Sequence, residues 1–462
     1  MRLPLSLAAL LALPLPLLAG PLTAGAAKAD ITPPPGTPMA GYYATRGAEG
    51  THDPLHAKAV VFEQDGTRVA LVALDLIATT AGSVAEARGL VEKRTGIPAA
   101  HVMISATHSH TGPVLTSGKP RDDAFGGQNE LAVNFMKGLP AKIADAVAAA
   151  DKARVPARVL RAVGREDGLA FNRRFHMIDG TVGWNPGKRN PKTVRPAGPV
   201  DPSVPVVLVQ TADGKKPIAC YVNFSMHLDT VGGLYFSADY PYWLGKCLEA
   251  AVGDGLVTVF TMGCSGDVNH LNVNSTMPQK GSVEAARIGT RLAAAVLRAF
   301  DHLEPASDGP LRATTAALEL PAAPVSPDEL PAAREVIAKV VGEVKPVPAF
   351  LDQVKAFQVR DVSDRLGRPF PAEVQVISLG DDLAWVGLPG EIFTALGLAV
   401  KHGSPFRQTM VASLANGSVG YVPDRPAYPQ GNYEVISARV AAGSGEMLVD
   451  EAMRQLRGQY KR

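Results

Sequence analysis

The fold of this chain is narrowed first by where its polar residues fall. Nine short apolar runs, rich in Val and Ile, read as buried strands at 59–62, 69–74, 102–105, 204–210, 218–224, 256–261, 374–379, 383–388 and 409–414. Helix-period stretches lie among them at 81–94, 129–152, 241–252, 282–298 and 327–341. Strands alternating with helices predict an α/β layered fold. The succession 69–74, 81–94, 102–105 reads as strand–helix–strand and so as a parallel pair. Six of the runs deliver polar groups just past their C-terminal ends. These include Asp75, then His108 and His110, His227 with Asp229, Ser265 with Asp267, Glu391, and Asn416 leading to Tyr421. In α/β sheets that rim is where ligands bind, and unrelated loops would scatter such residues over both ends. The expectation is an α/β fold with a mixed sheet core flanked by helices and an active site at the C-terminal ends of strands. A helical insertion near 325–365 is expected within it.

Composition removes several function classes. With 46 Lys+Arg against 44 Asp+Glu and no basic block, the chain has no electrostatic footprint for nucleic acid. Three cysteines exclude a disulfide-built scaffold. Cys220, Cys247 and Cys264 could form one disulfide and leave one thiol, and spacing does not choose. Residues 1–26 read as a secretory signal peptide: Arg2, an apolar stretch from Leu3 to Ala19, then the cleavage-like Ala24-Gly25-Ala26. Pro4, Pro14 and Pro16 argue against a membrane span, and no later segment is long and apolar enough for one. A secreted or periplasmic protein with a single domain over 27–462 is expected.

His108 and His110 stand at i and i+2, so in extended backbone they project to one side. His227 comes from a second strand end and Glu391 from a third. Two histidines and a carboxylate from separate elements, with a position left for water, form the ligand set of a catalytic zinc. Zinc acidifies its water and polarises a carbonyl, which serves amide or ester hydrolysis. Each residue has an ordinary reading too. His227 fits a hydrogen-bonded core position, and Glu391 a cap for the helix expected at 392–400. Asp75, Asp229 and Asp267 read as supporting or capping residues, with Asp75 or Asp267 suited to orienting a ligand histidine. Gly263-Cys264-Ser265-Gly266-Asp267 invites a metal-free hydrolase using Ser265 or Cys264. It is not G-x-S-x-G, however, and a glycine-rich loop that lets backbone approach the site is the preferred reading.

At these residues the sequence resembles the neutral/alkaline, non-lysosomal ceramidase family, in its N-terminal catalytic domain. Matching stretches run in family order from Ala29-Asp30-Ile31-Thr32-Pro33 and Met39-Ala40-Gly41-Tyr42 through nearly all of the chain. The most specific is Ser105-Ala106-Thr107-His108-Ser109-His110-Thr111-Gly112-Pro113. Asn172-Arg173, Asn223 to His227, Gly266-Asp267-Val268, Pro389-Gly390-Glu391, Gly420-Tyr421-Val422 and Asn432-Tyr433-Glu434 follow. The resemblance implies zinc held by His108, His227, Glu391 and Tyr421, with His110, Arg173 and Tyr433 around a scissile amide. It implies an amidase cleaving ceramide or a related N-acyl compound by attack of zinc-bound water. A lipid or small N-acyl substrate and transient contact with a membrane surface follow from the same resemblance. Asn269 replaces the serine of the family's hexapeptide, which excludes that serine as nucleophile here. The family's C-terminal immunoglobulin-like domain has no room before Arg462, so a substrate other than ceramide is open. A non-catalytic secreted protein with a structural metal is the remaining alternative.

Overall fold

The computed structural model describes residues 20–306 and 309–460. Residues 1–19 of the signal peptide expected over 1–26 lie outside them. Eight strands form the main sheet: β1 (Thr23–Asp30), β2 (His56–Gln64), β3 (Thr67–Leu74), β4 (Val102–Ala106), β5 (Val155–Arg165), β6 (Ser203–Thr211), β7 (Pro217–Phe224) and β8 (Val257–Met262). Their order is β8-β7-β6-β5-β1-β2-β3-β4, with the two-residue strand Glu304–Pro305 attached to β5. A second sheet runs β9 (Leu311–Leu320), β10 (Phe370–Leu379), β11 (Leu383–Gly387) and β12 (Gln408–Ala412) in that order. The fold is the expected mixed α/β arrangement, and all nine runs read as strands are strands.

Alternation along the strands assigns the layers. In β2, Ala57, Ala59 and Val61 face α1 (Ala81–Thr95) and α2 (Glu130–Lys152), while Val60 and Phe62 face the second sheet. Phe62, Tyr221 and Trp385 meet between the sheets, where Trp385 is 1% exposed. α3 (Tyr240–Val252) and α4 (Ser282–Ala299) complete the outer helical layer over β6–β8. On the far side α7 (Thr394–Gly403) and α8 (Ser444–Tyr460) cover the second sheet. The result is helix, sheet, sheet, helix, with one apolar core between each pair of layers.

One unit recurs three times: an antiparallel hairpin, a helix, and a strand parallel to the hairpin's second arm. The three are β2-β3-α1-β4, β6-β7-α3-β8 and β10-β11-α7-β12. No sequence repeat announces this, because each unit needs only the pattern of burial. At the C-terminal ends of the parallel pairs, backbone hydrogen bonds join the units. Ala106 donates to Leu414 O at 3.2 Å, Ser413 to Met262 O at 2.9 Å, and His110 to Leu228 O at 3.2 Å. The expected rim is therefore one place, shared by three units.

The insertion expected near 325–365 is a helical pair, α5 (Glu329–Val341) and α6 (Phe350–Ser363), between β9 and β10. β1, β5 and β9 were not among the expected strands. β5 and β9 alternate exposed charged or polar residues with small or apolar ones, which weakens the apolar-run signal. β1 contains Ala24-Gly25-Ala26, read as the cleavage site. There Ala24 is fully buried, and Thr23 and Ala24 make the strand's pairing with β5. A cut after Ala26 would remove half of this strand, so the segment belongs to the folded core. The three cysteines are free, so no disulfide forms among them.

α3 and α4 pack with little space between their backbones. A Cβ on Gly289 would stand 2.5 Å from Tyr240 O and 2.6 Å from Trp243 Cβ. Gly289→Val is expected to lower unfolding free energy by about 1–3 kcal/mol through overpacking. Gly89→Ala, on the open face of α1 with nothing near its Cβ, should instead raise it by about 0.5–1 kcal/mol. Urea denaturation midpoints of the two variants check the contrast.

Candidate metal centre

The site is built where the three units meet. β4 ends at Ala106, and the amides of His108 and Ser109 bond to Leu76 O. His108 sits at φ +77°, in the left-handed region that non-glycine residues rarely enter. The segment is thus a turn and not the extended backbone expected from the i, i+2 spacing. The two rings still converge, with Nε2 atoms 3.2 Å apart and planes at 90°. His227 follows β7, and its amide bonds to Val268 O. Glu391 and Tyr421 are partners in a two-residue parallel pairing, Glu391–Ile392 with Tyr421–Val422. Direct partners place their side chains on the same face, so this register brings the carboxylate and the phenol together.

Two backbone carbonyls aim the imidazoles. His108 Nδ1 lies 2.7 Å from Ile77 O, and His227 Nδ1 lies 3.0 Å from Ser265 O. A carbonyl only accepts, so each Nδ1 carries the proton and each Nε2 bears a lone pair. Those lone pairs face each other at 3.1 Å. Glu391 Oε2 joins them at 3.4 Å from His108 Nε2 and 3.3 Å from His227 Nε2. The Tyr421 hydroxyl stands 3.4 Å from His227 Nε2. Lone pairs crowded in this way repel unless a cation lies among them. Around an ion with bonds of about 2.0–2.1 Å, tetrahedral donors stand about 3.3 Å apart. The observed spacings of 3.1–3.4 Å match that edge. Glu391 Oε2 is buried and has no hydrogen-bond donor. These residues fit a metal ion. His110 adds another nitrogen to the same group, which together with His108 and His227 also satisfies the geometry of a three-histidine site.

Electrostatics favour neutral rings at His227 and His110 and an ionised Glu391. Burial, followed by the Arg173 guanidinium and His108, pushes His227 down to about 4. Burial also holds His110 well below its ordinary value, against the pull of Asp229. For Glu391 burial acts upward, but His108 and His227 outweigh it and hold the carboxyl well below the usual range. Burial, then Glu391, keeps the Tyr421 phenol well above its ordinary value.

The surroundings correct several sequence readings. Asp75 does not orient a histidine; it pairs with Lys58 at 2.9 Å and accepts from the His56 amide. Asp267 bonds the Thr394 amide and hydroxyl, both at 2.8 Å, at the start of α7, and Asn172 at 2.7 Å. Glu391 therefore is not the cap of that helix. Asp229 is the carboxylate near a site histidine: it accepts from the Tyr42 hydroxyl and lies 3.8 Å from His110 Nδ1. Gly266 confirms the close-approach reading of its loop, since a Cβ there would be 2.4 Å from Glu391 O. Burial pushes the Cys264 thiol up to about 12, the reverse of an activated nucleophile. Ser265 Oγ is buried without a partner, so no base stands beside it.

Arg173 donates to the Tyr421 hydroxyl at 3.0 Å and to Gly266 O at 2.7 Å. Its Nε bonds Glu434 at 2.8 Å, and Glu434 also binds Arg174 at 2.9 Å. Glu434 has no exposed surface. Sequence reasoning passed over it, although a carboxylate directly after Tyr433 was its available signal. Tyr433 packs on Tyr421 at 5.4 Å and on Trp184 at 4.6 Å, and Phe350 of the insertion closes over it at 5.5 Å. A cavity of about 60 Å³, lined by His108, His110, Glu391, Tyr421 and Tyr433 among others, lies at the centre.

The recurring hairpin–helix–strand units in four layers, with donors gathered at their shared rim, define a layered α/β sandwich. No protein-family model and no curated protein sequence matches the chain. Among solved structures, neutral ceramidase from Pseudomonas aeruginosa superposes with a TM-score of 0.75 at 20% identity, over 95% of this chain and 75% of that one. A ceramidase complexed with C2 gives 0.74 at 19% identity, over 95% and 76%. The chain has the neutral ceramidase fold.

Glu434→Ala would leave Arg173 and Arg174 as buried cations without their counter-charge. The expected loss of stability is about 3–5 kcal/mol. Glu304→Ala, which breaks the Arg161 pair on the surface side, should cost less than about 1 kcal/mol. Thermal denaturation of both variants tests the difference.

Proposed function

We propose that this protein is a secreted zinc-dependent amidase that cleaves N-acyl bonds of the kind found in ceramide. One observation carries the reading: the Nε2 atoms of His108 and His227 and Glu391 Oε2 stand 3.1–3.4 Å from one another, and the Tyr421 hydroxyl lies 3.4 Å from His227 Nε2. Two neutral imidazoles, a carboxylate and a phenol are nitrogen and oxygen donors suited to zinc. His108, His227, Glu391 and Tyr421 would hold it. When bound, zinc supplies an acidified water and polarises the amide carbonyl.

The remaining residues do the positioning and proton work. His110 borders the donor group through Nε2, and Asp229 faces its Nδ1. It can take a proton on Nε2 and pass it to the leaving amine, while Asp229 steadies the charged ring. Arg173 keeps the Tyr421 hydroxyl directed at the centre and brings positive charge to where the oxyanion develops. The Tyr433 ring, stacked with Phe350, walls the cavity. At about 60 Å³ the chamber has room for about two waters, which suits a group the size of an amide. The fold shared with the ceramidases supports the substrate class.

Purified protein is expected to carry about one zinc per chain. His108→Ala and Glu391→Ala should lose both the metal and the release of fatty acid from N-acyl substrates, and Ser265→Ala should keep both. Full turnover after a chelator has removed the metal would refute the metal reading. Export is part of the proposal, with the leader removed ahead of β1. Mass spectrometry of the mature chain should find an N-terminus at or before residue 22, and one at Ala27 would contradict the role of β1 in the core.

A further inference from the structure

A groove of about 670 Å³ lies beside the metal centre. It shares Thr79, Thr80, Ser117, Lys119, Ser418 and Arg439 with the small cavity over His108 and Glu391, so the two adjoin along a common wall. The groove is lined by polar and charged residues and by small or apolar ones in nearly equal number, so it offers an apolar wall beside a set of charges.

Its charges do not balance. Each acid on its wall already has a cation: Asp361 pairs with Arg439, Asp364 with Arg360 at 2.8 Å, and Glu373 with Arg88 at 2.8 Å. Lys119, Arg365 and Arg368 have no such partner. Among the described residues no carboxylate lies within ion-pair distance of them, and they donate to backbone carbonyls instead. Lys119 Nζ bonds Ser418 O at 3.1 Å, Arg365 Nε bonds Arg368 O at 3.1 Å, and Arg368 Nε bonds Arg365 O at 3.0 Å. Arg365 also lies 4.4 Å above the Phe370 ring. Lys119 is the one of the three that also faces the reaction cavity.

We propose that this groove binds a negatively charged group, a carboxylate or a phosphate, on the amine portion of the substrate, with Lys119 as the residue that selects for it. The identity of the substrate as an N-acyl compound rests on the amidase reading above; anion binding by the groove does not. Burial, followed by Arg439, pushes the Lys119 ammonium down to about 8. A cation so placed gains from an anionic ligand, which returns the counter-charge that the fold withholds. Ceramide carries no charge and leaves all three cations unmatched.

Calorimetric titration of the metal-loaded protein tests this with two matched pairs. One is N-dodecanoylglycine against its neutral amide, and the other is phosphorylated N-dodecanoylethanolamine against the parent alcohol. The anionic member of at least one pair should bind about tenfold more tightly, the scale of one charge-assisted hydrogen bond. The stronger pair distinguishes carboxylate from phosphate. In Lys119→Met the preference should collapse, in Arg368→Gln it should shrink, and added salt should weaken it. Equal affinity within both pairs, or a preference that survives Lys119→Met, overturns the inference. Release of dodecanoate from the same compounds is read separately. Selective binding without release from any N-acyl substrate defeats the amidase reading and leaves the groove standing. Release without selectivity does the reverse.

Discussion

The site depends on two hydrogen bonds from imidazole to backbone carbonyl, at Ile77 O and Ser265 O. They fix the tautomers of His108 and His227 and turn two lone pairs toward each other at 3.1 Å. Such an arrangement is unfavourable on its own, so something else must hold it. The carbonyls belong to segments leaving different units, and the units are locked by the apolar cores between the layers and by the cross-links at Ala106, Ser413 and His110. Moving one imidazole would require moving the end of a strand. Strain at His108, at φ +77°, sits at the point where a rigid frame meets a chemical requirement.

Burial then determines the chemistry. A desolvated carboxylate beside two neutral rings and a phenol is a poor environment for anything but a cation. The protein supplies positive charge nearby through Arg173 and Arg174, but binds both to Glu434 so that neither is left unpaired. Arg173 consequently reaches Tyr421 as a fixed donor and not as a wandering side chain. The buried pair of arginines explains why Tyr433 and Glu434 are adjacent: the short helix that begins at Tyr433 carries both the ring that walls the cavity and the carboxylate that anchors Arg173.

The rim was legible because buried strands stop abruptly and polar residues cluster where they stop. His227 and Glu391 follow from that pattern alone. Tyr421 and Arg173 do not; a phenol and a guanidinium have too many ordinary uses, and here only the family resemblance singled them out. His108 and His110 were brought together by the correct spacing for an incorrect reason, since the chain turns through a left-handed residue. Asp75 was misjudged because Lys58, across the β2–β3 hairpin, claims it. Glu434 was passed over because its partners lie 261 and 260 residues away, a separation that no local pattern reports. Ala24-Gly25-Ala26 has two uses for its small residues: they resemble a cleavage signal, and in the fold Ala24 is buried and paired within β1.

The contrast in size between the two cavities bears on specificity. About 60 Å³ at the donors admits the reacting group and little else, while about 670 Å³ lies alongside. Discrimination among substrates must then occur outside the chamber, in contacts to the parts that flank the scissile bond. Part of that outer wall comes from the insertion between β9 and β10. α6 contributes Phe350 over Tyr433, and its C-terminal end and the loop that follows contribute Asp361, Asp364, Arg365 and Arg368 to the groove. The donors are tied to strand ends by backbone geometry and cannot shift without loss of the frame. The insertion is tied to the core chiefly through side chains, among them the Arg439–Asp361 pair and the contacts of Phe357 with Tyr43 and Phe125. A frame so divided separates the fixed donor positions from a wall whose side chains can differ without disturbing them.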